Sequence, residues 1–158
     1  MGMKANSGMF CNTSGSININ ASKEMKYKLN IQMFAKPYSS KGRVSFTSIS
    51  KNREYYYGKS AQRIATDMNS FGYETTIRKS KHSTSKAKVI VVSNSSKQRN
   101  ITQVQVSAGS ARHGNVPYVK ISTNSGKYKV VNSSRKSYKS DGKETAKLIF
   151  RRRKKNEK

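Results

Sequence analysis

Acidic residues are scarce in this chain: only 7 Asp and Glu stand against 33 Lys and Arg, and the formal net charge is +26. A field of that sign concentrates polyanions at a protein surface, and nucleic acid is the commonest polyanion. An anionic membrane surface is the second candidate. The sequence therefore predicts a partner with a high density of negative charge.

Cysteine and histidine are nearly absent, so the chain has few metal ligands. Cys11 is the only cysteine, which excludes an intramolecular disulfide, and there are only two histidines. This set cannot form a standard four-ligand zinc site unaided. The carboxylates are scattered rather than paired, and no glycine-rich phosphate loop is present. We therefore expect no metal and no cofactor.

Long hydrophobic runs are also missing, and hydrophobic residues make up only 33% of the chain. No run approaches the roughly 20 apolar residues that span a bilayer, so we expect no transmembrane segment. The N-terminus lacks the layout of a secretory signal. Not all of such a polar chain can be packed. We expect a disordered leader and linker over 1–40, a basic domain over 41–151 and a basic tail over 152–158.

The clearest structured unit covers residues 60–93. Apolar residues at helical spacing predict a helix that begins at the N-cap Ser60 and ends before a left-handed Gly72. Alternation at Tyr73, Thr75 and Ile77 then predicts a strand, and the β-branched run 89–92 predicts its hairpin partner. The helix offers an apolar face that can cover one side of this sheet.

Further strands are predicted over 43–50, 101–107, 118–122, 127–131 and 145–151, with a polar loop over 132–142. Residues 25–35 form either a short strand or an extended linker. The turn at Asn124, Ser125 and Gly126 joins the second hairpin. Short connections favour an α+β fold, in which one amphipathic helix packs on a mainly antiparallel sheet of about five strands.

One segment resembles proteins of known genomic context. Residues 6–10 (NSGMF), 13–15 (TSG) and 29–35 (LNIQMFA) resemble a leader of prophage proteins from Gram-positive bacteria, although Met33 stands where that leader usually has Leu or Phe. In those proteins the leader opens minor head or other virion proteins, and it also precedes small toxin-like or nuclease-like domains. The resemblance implies a location in the cytoplasm of a bacterial host or in a virion. It implies phage head proteins or an acidic immunity protein as partners.

Three groups of cations, one of them interleaved with tyrosines, are candidates for nucleic-acid binding. Cations neutralise phosphates and aromatic rings stack on bases, which suits single-stranded nucleic acid. As alternatives, the tyrosines cover the core, the hairpin lysines prevent sheet aggregation, and the terminal arginines form a tether. The candidates are Arg43, Arg53, Tyr55, Tyr56 and Lys59 before the helix, Arg78, Lys79, Lys81 and Lys86 at the first hairpin, and Arg151, Arg152 and Arg153 near the C-terminus.

A fourth group has the minimum composition for metal-free RNA cleavage. His113 can transfer a proton near neutral pH, and Arg112 or Lys120 can hold a phosphate. Thr123 comes directly after Ser122, at the end of the predicted strand that carries Lys120. Small prophage nucleases of the barnase, EndoU, colicin and RelE group are similar in outline, but no specific motif matches. In the structural alternative, His113 donates a hydrogen bond to the backbone.

Three functional hypotheses follow from these observations. The leading one is a small basic prophage-type module that binds RNA or DNA mainly through the phosphate backbone. The second is a metal-independent RNase toxin domain, which makes the chain an enzyme. The third is a phage virion protein whose charge meets packaged DNA or an acidic capsid surface.

Overall fold

A computed structural model describes residues 35–81 and 86–153 of the chain. Within these ranges the fold is α+β, as predicted, and the sheet has six strands. The helices are α1 (Phe46–Lys51) and α2 (Ala61–Asn69), and two 3₁₀ turns cover Arg53–Tyr56 and Ala111–His113. The strands are β1 (Thr75–Lys79), β2 (Lys88–Val92), β3 (Ile101–Ser107), β4 (Tyr118–Thr123), β5 (Gly126–Val131) and β6 (Lys147–Phe150).

The strand predicted over 43–50 is wrong, because this segment begins helix α1. The Ser45 hydroxyl accepts a hydrogen bond from the Ser48 amide at 3.1 Å, and the Ser45 amide donates to the Ser48 hydroxyl at 2.8 Å. This reciprocal pair satisfies amides that a helix start leaves free. Val44 is buried whereas Phe46 is 41% exposed, so their spacing is not the alternation of a strand.

Helix α2 confirms the prediction over the first structured unit. The Ser60 hydroxyl accepts a hydrogen bond from the Arg63 amide at 3.2 Å, which makes Ser60 the N-cap. Gly72 follows the helix with φ of 80°, a left-handed conformation that favours glycine. The predicted apolar face is buried, and Ile64 and Met68 have no exposed surface.

The sheet has the strand order β1-β2-β3-β4-β5-β6, so each strand pairs with its sequence neighbour. Four pairs are antiparallel, and only β5 with β6 is parallel. The parallel pair needs a long connection, which the polar loop after β5 supplies. The mainly antiparallel sheet was predicted, whereas the parallel last strand was not.

Each side of the sheet carries a separate apolar cluster. On one side, Ile90, Val104 and Ile121 pack with residues of α1 and α2 in the main core. On the other side, Val131 packs with Tyr138 and with the half-buried residues around them. Tyr138 lies within the predicted polar loop but is only 7% exposed. This loop therefore covers the second side of the sheet near β5 and β6.

Residues of the predicted linker also contribute to the core. Pro37 is fully buried, and the Tyr38 ring packs against Phe71 with 4.9 Å between ring centroids. The leader over residues 1–34, including the strand or linker considered there, lies outside the described residues. No helix in the described part of the chain has the length and apolar composition needed to cross a membrane.

Candidate nucleic-acid interface

Several of the predicted cations lie at the same end of the sheet. We call this end of the sheet the basic rim. At this end, Lys79 pairs with Lys88 between β1 and β2, and Val131 pairs with Phe150 between β5 and β6. Ser107 and Tyr118 pair at the same end between them. With strands about 4.8 Å apart, the rim extends for roughly 24 Å across the sheet.

Beyond β6, the basic rim holds a polar cleft of about 450 Å³ that we call the arginine–serine cleft. The cleft is bounded by the first residues of the loop after β5 and by the segment that follows β6. The Arg151 amide donates to the Ser133 carbonyl at 3.1 Å, which holds the two segments together. Guanidinium and hydroxyl groups are strong partners for phosphate oxygens. The residues that line the arginine–serine cleft are Asn132, Ser133, Ser134, Ser137, Arg151, Arg152 and Arg153.

Arg53 fixes this cleft to helix α1 rather than lying free on the surface. Its guanidinium donates to the Phe150 carbonyl at 2.7 Å, and also to the Ser50 carbonyl at 2.7 Å. Arg152 donates to the Lys51 carbonyl at 3.3 Å. The structure thus brings Arg53 to the segment that carries the three C-terminal arginines, although about a hundred residues separate them in sequence.

Next to the arginine–serine cleft lies a second, mostly apolar cleft of about 330 Å³, which we call the apolar cleft. It opens where β3 ends and β4 begins, and Asn132 lines both clefts. Lys59 and Ser60 place the N-terminus of α2 at its edge. Its lining residues are Tyr56, Tyr57, Gly58, Lys59, Ser60, Val106, Ser107, Ala108, Pro117, Tyr118, Val119, Val130 and Asn132.

Tyr57 lines the apolar cleft, beside the arginine–serine cleft. Burial raises the pKa of the Tyr57 hydroxyl, while the positive charges of Arg53, Arg151 and Arg152 oppose that rise. The hydroxyl is buried and has no hydrogen-bond partner among the described residues. Aromatic side chains and guanidinium groups therefore line neighbouring clefts, a combination that suits single-stranded nucleic acid.

The β1–β2 hairpin supplies the other cations of the basic rim. Lys79, Lys81, Lys86 and Lys88 lie at its tip, and each is exposed. Arg78 is exposed too, but it points to the opposite face of β1 from Lys79 because side chains alternate along a strand. Residues 82–85 of the tip lie outside the described part of the chain.

Tyr55 and Tyr56 are buried instead of presenting an exposed ring to a base, which corrects the prediction for these two residues, although Tyr56 also borders the apolar cleft. Both are only 2% exposed and pack edge to face at 4.8 Å within the main core. The Tyr55 hydroxyl donates to Asp67 at 2.7 Å. The alternative that the tyrosines cover the core is therefore the observed one for Tyr55 and Tyr56. Tyr57 is the half-buried member of the triplet, and it lines the apolar cleft together with Tyr56.

Lys59 belongs to the same buried polar group and still reaches the apolar cleft. Its ammonium lies 3.7 Å from the centre of the Tyr55 ring and 3.4 Å from the Asp67 carboxylate. Burial lowers the pKa of Lys59, and Asp67 partly opposes this shift. Burial would raise the pKa of Asp67, but hydrogen bonds from Tyr55 and Lys36 and the nearby cations lower it overall.

The predicted catalytic residues do not meet at one site. His113 is 7% exposed, its ring stacks on Tyr138 at 5.0 Å, and its Nδ1 lies 3.0 Å from the Lys139 carbonyl oxygen. Arg112 is engaged in an ion pair with Asp141. This geometry corresponds to the structural alternative, in which His113 bonds to the backbone.

The other two predicted catalytic residues lie on opposite faces of β4. Lys120 is opposite Lys129 in the register, on the face that the loop after β5 partly covers. Thr123 is at the other end of the strand, where its hydroxyl donates to the Gly126 carbonyl at 2.8 Å in the hairpin turn. About 16 Å of strand separate Thr123 from Tyr118, the neighbour of His113.

Arg43 is also separate from the basic rim. It lies at the opposite end of the sheet, where its guanidinium donates to the Lys97 carbonyl at 3.1 Å. The Asn100 side chain, just before β3, fixes the adjacent Val44 backbone at that end. The structure therefore divides the predicted nucleic-acid-binding residues between the two ends of the sheet.

Some residues of the interface were not predicted from sequence. Ser133, Ser134 and Ser137 fall in a segment that resembles any polar loop, and Asn132 carries no signal of its own. The serine and basic-residue mixture of 133–139 is the only local hint that this loop could contact a phosphate. No cluster of potential metal ligands occurs among the described residues.

The comparisons with known proteins return no relative. Neither a protein-family model, nor a curated protein, nor a solved structure matches this chain. The functional conclusion therefore depends on the charge and geometry of the chain itself.

Proposed function

We propose that this protein binds nucleic acid through the phosphate backbone, with the basic rim as the contact surface. The observation that carries the proposal is the arginine–serine cleft, where three exposed arginines and three serines surround one polar cavity. Backbone contacts of this kind come mostly from Arg, Lys, Ser and Asn side chains. The hairpin lysines add exposed positive charge at the other end of the rim.

The free charges of the rim support this proposal. Among the described residues, four ion pairs engage only Lys36, Lys59, Arg112 and Lys129. The three arginines of the cleft and the hairpin lysines form none of these pairs. Unpaired cations release bound counterions from nucleic acid when they contact phosphates, which is the main source of non-specific affinity.

Two double variants that remove equal charge test the location of this surface. Arg152→Gln/Arg153→Gln removes two cations from the arginine–serine cleft, and Lys41→Gln/Lys97→Gln removes two exposed cations from the opposite end of the sheet. Binding to a labelled single-stranded oligonucleotide is measured by fluorescence anisotropy at low salt.

The cleft variant should lose about tenfold in affinity, since each removed phosphate contact costs binding energy and counterion release. The control variant should stay within about threefold of the wild type, because it changes only the distant field. Equal losses in the two variants contradict the rim as the contact surface. Failure of the wild type to bind at low salt contradicts the proposed function altogether.

A further inference from the structure

We propose that the apolar cleft accepts an unpaired nucleobase of a strand whose phosphates lie in the arginine–serine cleft, an inference that rests on the proposed function. The two clefts share Asn132 as a lining residue. The binding surface would then prefer single strands over duplexes, because bases in a duplex are stacked and their faces are unavailable.

The lining of the apolar cleft suits an aromatic ring. Tyr57 and Tyr118 are half-buried at its wall, and Val106, Pro117 and Val130 complete an apolar surface. Small-molecule pockets in proteins measure about 300–1,000 Å³, and this cleft of about 330 Å³ falls at the small end of that range. A single base is therefore a better occupant than a larger apolar ligand.

The positive charge near the apolar cleft indicates what kind of aromatic ligand would bind there. Arg151 and Arg152 line the adjacent arginine–serine cleft, which shares Asn132 with the apolar cleft. The N-terminus of α2 at Ser60 adds positive partial charge to the edge of the apolar cleft. An apolar cavity beside a cluster of arginines matches a ring attached to phosphates, which is the chemistry of a nucleotide.

The β3–β4 connection, which carries Ala108 and Pro117 of the cleft, packs closely against the loop after β5. Gly114 of this connection has φ of 74°, and a Cβ built there would lie 2.8 Å from the Ser137 carbonyl oxygen. Close packing of the connection that supplies part of the cleft wall lowers the entropic cost of holding a base.

The test compares two ligands of equal charge and three forms of the protein. The ligands are a short oligothymidylate and an abasic strand with the same number of phosphates. The protein forms are the wild type, Ala108→Leu and Ala111→Leu. Ala108 lines the apolar cleft and is exposed, so leucine adds bulk there without an aromatic face. Ala111 is an exposed alanine in the same loop outside the cleft.

The wild type should bind oligothymidylate about tenfold more tightly than the abasic strand, since bases that stack on aromatic side chains add affinity that phosphates do not. Ala108→Leu should remove this preference and leave affinity for the abasic strand unchanged, whereas Ala111→Leu should keep it. If the wild type binds both strands equally, the base site is wrong while the phosphate surface stands.

Two other outcomes also decide against the base site. A wild-type preference that survives in Ala108→Leu places the base elsewhere on the rim. A chain that binds neither strand at low salt overturns the proposed function and this inference together, and anisotropy at low salt separates that outcome from the others.

Discussion

At the scale of single residues, Lys129 shows how a strongly basic chain places a cation inside the fold. Lys129 is only 3% exposed, and lysine is rarely so buried without a partner. Its ammonium forms an ion pair with Glu144 and donates to the Tyr138 hydroxyl at 2.9 Å. The Tyr138 hydroxyl donates in turn to Glu144 at 2.9 Å. This group fixes the loop after β5, and with it the serines of the arginine–serine cleft.

Replacing Glu144 by Gln should lower the free energy of unfolding by about 3 kcal/mol at pH 7, because Lys129 then keeps a buried charge without its counterion. Urea denaturation followed by circular dichroism measures this loss. Glu54→Gln is the control, since Glu54 is exposed and its change should stay within about 0.5 kcal/mol. Equal effects of the two substitutions would show that the buried pair contributes nothing.

The same pair predicts a pH dependence. Burial would raise the pKa of Glu144, but hydrogen bonds from Lys129 and Tyr138 outweigh it and lower the pKa below its ordinary 4.5. A carboxylate whose pKa is lower in the folded state stabilises the protein above its unfolded pKa and loses that contribution as the pH falls through the folded pKa. The difference between the wild type and Glu144→Gln should therefore shrink below about pH 4. A difference that is constant with pH contradicts this assignment.

At the scale of elements, α1 is a helix that forms where a weak apolar pattern had predicted a strand, because its first turn is stabilised by capping hydrogen bonds. Residues 43–50 contain three apolar positions, which is too few to distinguish a strand from a helix. The reciprocal hydrogen bonds of Ser45 and Ser48 favour the helix. The S-x-x-S spacing is visible in the sequence, but serine at the second position is a weaker signal than Glu or Gln.

Ser45→Ala should destabilise the protein by about 1 kcal/mol, because the Ser48 amide loses its acceptor at the start of α1. Thr47→Ala is the matched control, as Thr47 is exposed in the same helix and takes no part in the cap. Its effect should stay within about 0.5 kcal/mol. Chemical denaturation of both variants tests the prediction, which a loss no greater for Ser45→Ala than for Thr47→Ala would contradict.

At the scale of the whole molecule, the few acidic side chains in the described part of the chain are used mostly in internal ion pairs, and most of the cations there are left without such a partner. Most acidic side chains of the described residues are already engaged: Asp67, Asp141 and Glu144 pair with four cations. Within the described ranges, all other Lys and Arg side chains lie outside these four ion pairs, so most of the positive charge there has no internal counterion. Such an excess attracts a polyanion more than it stabilises the fold.

Binding to a single-stranded oligonucleotide should weaken steeply as salt rises. The logarithm of the association constant should fall linearly with the logarithm of the salt concentration, with a slope of about 0.7 for each phosphate of the single strand that is contacted. Arg152→Gln/Arg153→Gln should reduce the magnitude of that slope by about 1.4, or about 0.7 for each phosphate contact removed. A salt-independent affinity, or an unchanged slope in this variant, contradicts phosphate contacts at the cleft.

The structure bears on the RNase hypothesis but not on the resemblance to prophage proteins. The resemblance falls almost entirely on residues 6–34, outside the described part of the chain, and it stays a prediction. The RNase hypothesis depended on His113, Arg112, Lys120 and Thr123 acting together. Their separation across the sheet leaves the cleavage prediction without a geometric basis in the described residues.

The sequence by itself determined the charge of this protein, the amphipathic helix α2 with its Ser60 cap, and the antiparallel strands, because these depend on composition and on contacts between near neighbours. Only the tertiary structure decided which cations share a surface. Long-range hydrogen bonds hold Arg53 at Phe150, which precedes the three C-terminal arginines, and hold Arg43 at Lys97 at the opposite end of the sheet. The tertiary structure also decided that Tyr55 and Tyr56 are buried while Tyr57 stays half-buried at a cleft, since identical side chains differ only in what packs around them.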